Sequence, residues 1–451
     1  MNIIDIPLDI LKEIFELSNF LTKIRFRQTC KFLFNYLHII DFSRIEEKYL
    51  VKFTDDILKN HKFIKNLNLS SFNQVKNLNW MKNLKKLRIS AYCSIDQDGI
   101  CGLNLIKLNA CNNSKIINVS WMTNLKKLNA NEKCGIDQDG ISGLDLIKLK
   151  ISDNSKIKNI HWMKNLKELD VSYNSLNQNE IFGLGLIKLN ACYNPNIITV
   201  SWMTKLKELQ VGGDECGINQ KGVVGLDLIK LNVCDNPKIS NISWMSSLKE
   251  LDASVDIKSC GINQIGISGL NLIKLNASGN KKITDVSFMT NLKYLSATGS
   301  CGIDQNGING LDLIELDANL NEKIIDVSFM TNLKYLNATG DCGIDQNGIN
   351  GLDLFEFNAC MNEKITDVSW MINLKELDAS YSCGINQIGI NGLNLIKLCA
   401  TRNEKITDVS SMVNLKELDA GHSCGINQIG IKGLDLIKLN AYMNEKITIV
   451  G

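Results

Sequence analysis

Histidine is scarce in this chain: only His38, His61, His161 and His422 occur, and they are scattered. None stands near a cysteine or serine in a nucleophile setting, so no catalytic pairing is legible. Long apolar runs are missing too. No stretch approaches the roughly 18 uninterrupted apolar residues that argue for a membrane helix. The opening MNIIDIPLDILKEIF carries acids and no basic leading segment, which is not the pattern of a secretory signal. No C-x-x-C pair is present to suggest a zinc site. The glycines recur singly with the repeat, so no phosphate-cradling loop forms. A net charge of +2 selects no class of partner. Together these absences lead us to expect a protein that is not an enzyme and uses no metal or cofactor. It should not enter the membrane or be secreted, and nucleic acid is not its expected ligand.

What fills the chain instead is repetition. Residues 373–413 read NLKELDASYSCGINQIGINGLNLIKLCATRNEKITDVSSMV, and at Asn414 the text starts again. The frame L-x-x-L-x-A occurs as Leu374, Leu377, Ala379 and again as Leu395, Leu398, Ala400. Alternating apolar residues predict a short strand with one buried face, and about 20 residues bring the chain back beside it. The pattern resembles the leucine-rich repeat. Central residues of the frame fall at nineteen positions from Leu67 to Leu439, with Phe357 in place of one leucine. Two returns alternate. One runs through C-G-I-x-Q-x-G-I-x-G-L, as in 342–352. The other runs through N-x-x-I-x-x-V-S-W-M, as in 362–371, where Ile365, Val368 and Met371 should point inward. Such short returns predict turns and 3₁₀ segments rather than long helices. Trp80, Trp121, Trp162, Trp202, Trp244 and Trp370, always before Met, read as core residues at a fixed phase.

Fifteen cysteines occur. Eight of them, Cys93, Cys134, Cys216, Cys260, Cys301, Cys342, Cys383 and Cys424, sit at one phase in alternate coils. Alternate coils lie roughly 10 Å apart, and a disulfide needs Cα atoms within about 7 Å. These thiols are therefore expected to be reduced and to line the turn, which suits the cytoplasm or nucleus.

Residues 3–38 do not fit the repeat. Three apolar runs suggest three short helices, too few to bury their own side chains. Ile6-Pro7, IPLDILKEIFEL and RFRQTCKFL resemble an F-box. With the repeats behind it, the chain resembles the F-box/leucine-rich-repeat proteins. The expected fold is an α/β-type solenoid: a short all-α F-box-like module (1–38), a transition coil (39–66), and about nineteen short repeats (67–451). These would form a horseshoe with a parallel concave sheet and a convex side of turns and 3₁₀ segments. In the transition coil, a strand over 40–42, a step from Phe42 to Leu69, and a helix capped at Thr54 are predicted.

The resemblance implies a substrate-recognition subunit of a cullin-type (SCF) ubiquitin ligase. Ile6, Pro7, Leu11, Ile14 and Phe15 would hold a Skp1-like adaptor, and the repeats would hold the target protein. The competing reading is a non-catalytic protein-binding scaffold unconnected to ubiquitin, with residues 3–38 capping the array. A third class, an adhesin like the internalins, shares the N-x-x-I-x-D-V turn but fits poorly with fifteen cysteines. On the concave side, Lys148, Glu168, Lys188, Glu208, Lys230, Glu250 and Lys274 alternate in sign in consecutive coils. Two regions break that uniformity. The first coils are basic: Lys85, Lys86, Arg88, Lys107, Lys126, Lys127, Lys148 and Lys150. At the strand ends of the last five coils stand Met361, Tyr381, Arg402, His422 and Met443, with Tyr442 adjoining. Aromatic, Met and Arg side chains grouped this way have the composition of a binding hot spot. These six are the expected target-binding residues.

Overall fold

The computed structural model describes residues 11–12, 18, 20–29, 38–43, 45, 52–59, 61, 63–70 and 74–448. The chain divides into two compact units. One comprises Met1–Leu206 with Cys216–Ile218, and the other Lys207–Glu215 with Asn219–Gly451.

In the first unit the strands are β1 (Asp41–Phe42), β2 (Asn66–Leu69), β3 (Lys86–Ile89) and β4 (Lys107–Asn109). They are followed by β5 (Lys127–Asn129), β6 (Lys148–Lys150), β7 (Glu168–Asp170) and β8 (Lys188–Asn190). The second unit holds β9 (Glu208–Gln210), β10 (Lys230–Asn232), β11 (Glu250–Asp252), β12 (Lys274–Asn276), β13 (Tyr294–Ser296) and β14 (Glu315–Asp317). It continues with β15 (Tyr335–Asn337), β16 (Glu356–Asn358), β17 (Glu376–Asp378), β18 (Lys397–Cys399), β19 (Glu417–Asp419) and β20 (Lys438–Asn440). Within each unit every strand pairs in parallel with the next, central residue against central residue, as Leu377 faces Leu398. Each unit is thus a run of solenoid coils, as the leucine frame predicted.

One register differs from the sequence reading. Phe42 pairs with Leu67 rather than Leu69. Leu67 is the residue that continues the column of central leucines, since it also faces Leu87. In the transition coil, helix α2 (Asp55–Lys59) follows α1 (Phe20–Gln28) in the chain. Thr54 caps it, its Oγ1 accepting the N–H of Ile57 at 3.3 Å.

Inside each coil the apolar residues of strand and return converge. Leu374, Leu377, Ala379, Cys383, Ile385 and Ile390 are all buried, as are Ile365, Val368 and Met371 of the alternate return. The returns are short as expected: single 3₁₀ turns such as Asn347–Ile349, and α-turns at Gln178–Ile181 and Gln220–Val223.

Two polar ladders tie coil to coil. Asn321 is fully buried. Its Nδ2 donates to the carbonyls of Ala297 (2.7 Å) and Ile303 (3.2 Å), and its Oδ1 accepts the N–H of Lys323 (2.9 Å). Asn362, Asn403 and Asn444 repeat the pattern. On the return, Gln346 Oε1 accepts the N–H groups of Thr366 (2.8 Å) and Asp367 (2.9 Å), while Nε2 donates to Asp367 O (2.9 Å). A buried carbonyl or N–H left without a partner costs about 1–3 kcal/mol, so these side chains complete the backbone's hydrogen bonding where no strand does.

The tryptophans are not core residues. Trp244 is 38% exposed, while the neighbouring Met245 is fully buried. Methionine takes the inward position and the indole lies on the outer side. There its N–H reaches the preceding coil: Trp121 donates to Leu103 O, Trp162 to Leu144 O, Trp244 to Leu226 O and Trp370 to Leu352 O, at 3.0–3.1 Å. An indole N–H needs a partner, which favours this half-exposed place over the core. Trp202 Nε1 is buried without one, and Phe182 packs against its ring at 5.4 Å.

The step from β11 to β12 is longer than its neighbours, and the turn at residues 254–259 that lengthens it is organised by a buried carboxylate. Asp235 is 2% exposed and accepts the N–H groups of Asp256 (3.0 Å), Ile257 (3.1 Å) and Lys258 (3.1 Å).

Candidate functional site

Among the described residues no three His, Cys, Asp or Glu side chains gather to hold a metal ion. No helix there is long and apolar enough to cross a membrane. The fourteen described cysteines form no disulfide with one another, and Cys30 lies outside the described residues. Burial pushes the turn thiols up: Cys134 to about 11, Cys260 and Cys383 to about 12.

On the open face of the sheet the alternating charges meet as the strand register requires. Lys148 bonds Glu168 across β6 and β7, and that hydrogen bond holds the Glu168 carboxyl below its ordinary range. Lys230 reaches Glu250 at 2.7 Å and Lys397 reaches Glu376 at 3.2 Å. Such exposed pairs contribute at most about 1 kcal/mol each.

The six residues expected to bind a target all lie in the second unit. Met361, Tyr381, Arg402, His422 and Met443 are each the third residue after a strand, in the turn that leaves the sheet. Each has a positive φ of 57–60°. That left-handed conformation costs a residue with a Cβ roughly 1–2 kcal/mol relative to glycine. Gly279, Gly299 and Gly340 occupy the same phase in earlier coils, also at positive φ. Other residues hold this conformation in further coils, among them Asn112, Glu132, Asp153 and Leu320; what marks the last five coils is size, each carrying Met, Tyr, Arg or His there.

They are held in pairs. The Arg402 guanidinium lies 5.3 Å from the Tyr381 ring centre. His422 meets Tyr442 edge-on at 5.7 Å. The strand ladder extends into these turns, with Tyr381 N–H donating to Thr401 O and His422 N–H to Tyr442 O, both at 2.6 Å. Met361 is 45% exposed, and Tyr442 and Met443 are each 66% exposed. The result is a row of rigidly based, exposed side chains along the rim of β16–β20. Cys360, beside Met361, is half-buried, and burial raises its thiol.

In the first unit the same phase carries Tyr173 and Tyr193, both at positive φ and stacked with ring centres 4.5 Å apart. Sequence reasoning passed over this pair, although its phase in the repeat matches that of Tyr381. Of the expected adaptor-binding residues, Ile6, Pro7, Ile14 and Phe15 lie outside the described residues. Leu11 is fully buried and does not stand on an open surface.

No protein-family model matches the sequence, and no curated protein does. Solved structures do resemble the fold. TLR13 in its complex with ssRNA13 is 18% identical with a TM-score of 0.54, over 85% of this chain. This chain spans 64% of the length of that one. InlJ from Listeria monocytogenes, whose functional domain includes a cysteine ladder, is 16% identical over 80% of this chain and 69% of its own, with a TM-score of 0.31. In yeast, the Rad7 and Elc1 complex gives 15% identity, 95% and 94% coverage, and a TM-score of 0.36. With the coil register, the two polar ladders and the likeness to TLR13 together, the fold is that of the leucine-rich-repeat proteins.

Proposed function

We propose that this chain is a non-catalytic leucine-rich-repeat scaffold that binds a protein target along the rim of β16–β20, over Met361, Tyr381, Arg402, His422, Tyr442 and Met443. The observation that carries the reading is the unbroken run of large Met, Tyr, Arg and His side chains in this turn over five consecutive coils, with Met361, Tyr381, Tyr442 and Met443 exposed. Large apolar and aromatic side chains grouped in the open on one rim mark a contact surface. Tyr, Arg and Met are also the residues that anchor protein interfaces.

Glycine substitutions test this cleanly. Tyr381→Gly and Arg402→Gly relieve the backbone, so their melting temperatures should equal or exceed that of the wild type. Target captured from the native cell should nevertheless be lost, with affinity falling by about 2 kcal/mol or more, roughly thirtyfold. A Lys230→Ala control on the open sheet face should bind as the wild type does. Retained binding in both glycine variants would move the site elsewhere.

The narrower reading makes the chain the target-recognition subunit of a cullin-type ubiquitin ligase. It rests on the resemblance of residues 3–38 to an F-box. The buried Leu11 counts against an open adaptor-binding face at that position. Recovery of a Skp1-like adaptor in the same capture separates the two.

A further inference from the structure

The open face of the first unit departs from the charge alternation seen elsewhere. Lys86, Lys107, Lys127 and Lys148 are direct strand partners in succession on β3–β6. Neighbouring parallel strands lie about 4.8 Å apart, and like charges placed directly opposite destabilise a sheet. In the second unit the same position reads Glu208, Lys230, Glu250, Lys274 on β9–β12 and Glu376, Lys397, Glu417, Lys438 on β17–β20. The repeat therefore has a ready means of neutralising this row, which β3–β5 do without and β6 meets through Glu168; Glu356 facing Glu376 is a like-charged pair in the second unit.

Compensation is partial: Asp41 lies near Lys86 and Glu168 near Lys127, without an ion pair to either. Lys148 is taken by Glu168, and Lys150 by Asp170 at 3.5 Å. Among the described residues Lys86, Arg88, Lys107 and Lys127 form no ion pair, and all four are exposed. In the second row, Asn109 and Asn129 turn Oδ1 to the backbone N–H groups of Cys111 and Asn131, both at 3.1 Å. Their amide NH₂ groups remain to face a ligand. The surface is a ladder of cations flanked by neutral donors.

We propose that β3–β6 form a second docking surface, for an extended acidic peptide segment of a partner protein lying across the strands. Four strands span about 14 Å, and an extended peptide with acids at alternate residues places a carboxylate about every 7 Å along that span. The asparagine amides suit its carbonyls. Single-stranded nucleic acid fits less well, because such sites pair the cations with aromatic platforms for the bases. The strand positions of β3–β6 carry Lys, Leu, Arg, Asn and Ile and no aromatic residue. This surface shares no residue with the rim of β16–β20, so loss of one leaves the other intact.

The test uses the full chain and fluorescence anisotropy with three labelled probes: a peptide of alternating glutamate and serine, its glutamine counterpart, and a short oligothymidylate. The glutamate peptide should bind best at low salt and weaken as salt rises. Lys107→Gln/Lys127→Gln should weaken it at least about tenfold, whereas Lys230→Gln/Lys397→Gln should not. Equal or tighter binding of the oligothymidylate, equal binding of the glutamine peptide, no binding at all, or equal loss in the control would each overturn the proposal. A ligand-free reading accompanies it. Lys127→Glu restores the alternation and should raise the melting temperature at low salt but not at high salt. An unchanged or lower melting temperature at low salt would remove the premise of a strained row.

Discussion

Gly348→Ala is expected to destabilise the second unit by about 3 kcal/mol, at the upper end of what overpacking a close contact costs. A Cβ placed on Gly348 would lie 2.1 Å from the carbonyl oxygen of Ile325 in the preceding coil. Neither side can give way easily. The N–H groups of Ile325 and Asp326 are held by Gln305 Oε1 at 2.9 and 2.8 Å, and Gly348 O accepts the N–H of Val327 at 2.9 Å. Moving the coils apart would break these bonds together. Gly351 provides the contrast. It has a φ of 76°, and a Cβ there would meet nothing within 4 Å, so Gly351→Ala encounters only backbone strain, about 1 kcal/mol. Thermal and denaturant melts of the two variants, with hydrogen exchange to locate the opening, should rank them in that order. A Gly348→Ala protein melting with the wild type would mean that the coils do not approach this closely.

Alkali should unfold the array through its buried thiols. Burial raises Cys134 to about 11 and Cys260 and Cys383 to about 12, against an ordinary value of 9.0. Burial likewise raises Cys301, Cys342 and Cys424. The folded chain holds these protons more tightly than the unfolded one. For Cys134, Cys260 and Cys383 that contribution is fully present below pH 9 and is lost as pH rises to the folded values of about 11 and 12. Between the unfolded and folded values each of these three lowers stability by about 1.4 kcal/mol per pH unit. A Cys260→Ala/Cys383→Ala variant, though less stable at neutral pH, should show a shallower alkaline limb. An identical slope would assign the alkaline loss to other groups. Alkylation under native conditions should find exposed Cys101 well before the turn cysteines.

The periodic part of this molecule could be read without coordinates. Every leucine frame from Leu67 onward sits on a strand, the returns are single turns, and the thiols spaced two coils apart form no disulfide with one another. All of these follow from the spacing of residues along one chain. A strand needs only alternating burial, and a return of about fourteen residues leaves no room for a longer helix.

What the tertiary structure decided depends on groups a whole coil away. Asn321 and Gln346 occur at fixed phases, and a polar residue recurring at a core phase was a usable signal. Their partners, however, are carbonyls and N–H groups about twenty residues distant, and repetition alone does not say which atoms meet. Phe42 pairs with Leu67 because it joins a column of leucines, a fact about stacking rather than spacing. The tryptophans face outward because the preceding coil offers a carbonyl there and methionine fills the core beside them. At the rim, Tyr381, Arg402 and His422 were legible as a change of composition. That they stand on left-handed backbone, where glycine fits best, emerged only from the folded chain, because the turn must twist out of the sheet while its N–H reaches the carbonyl of the next coil.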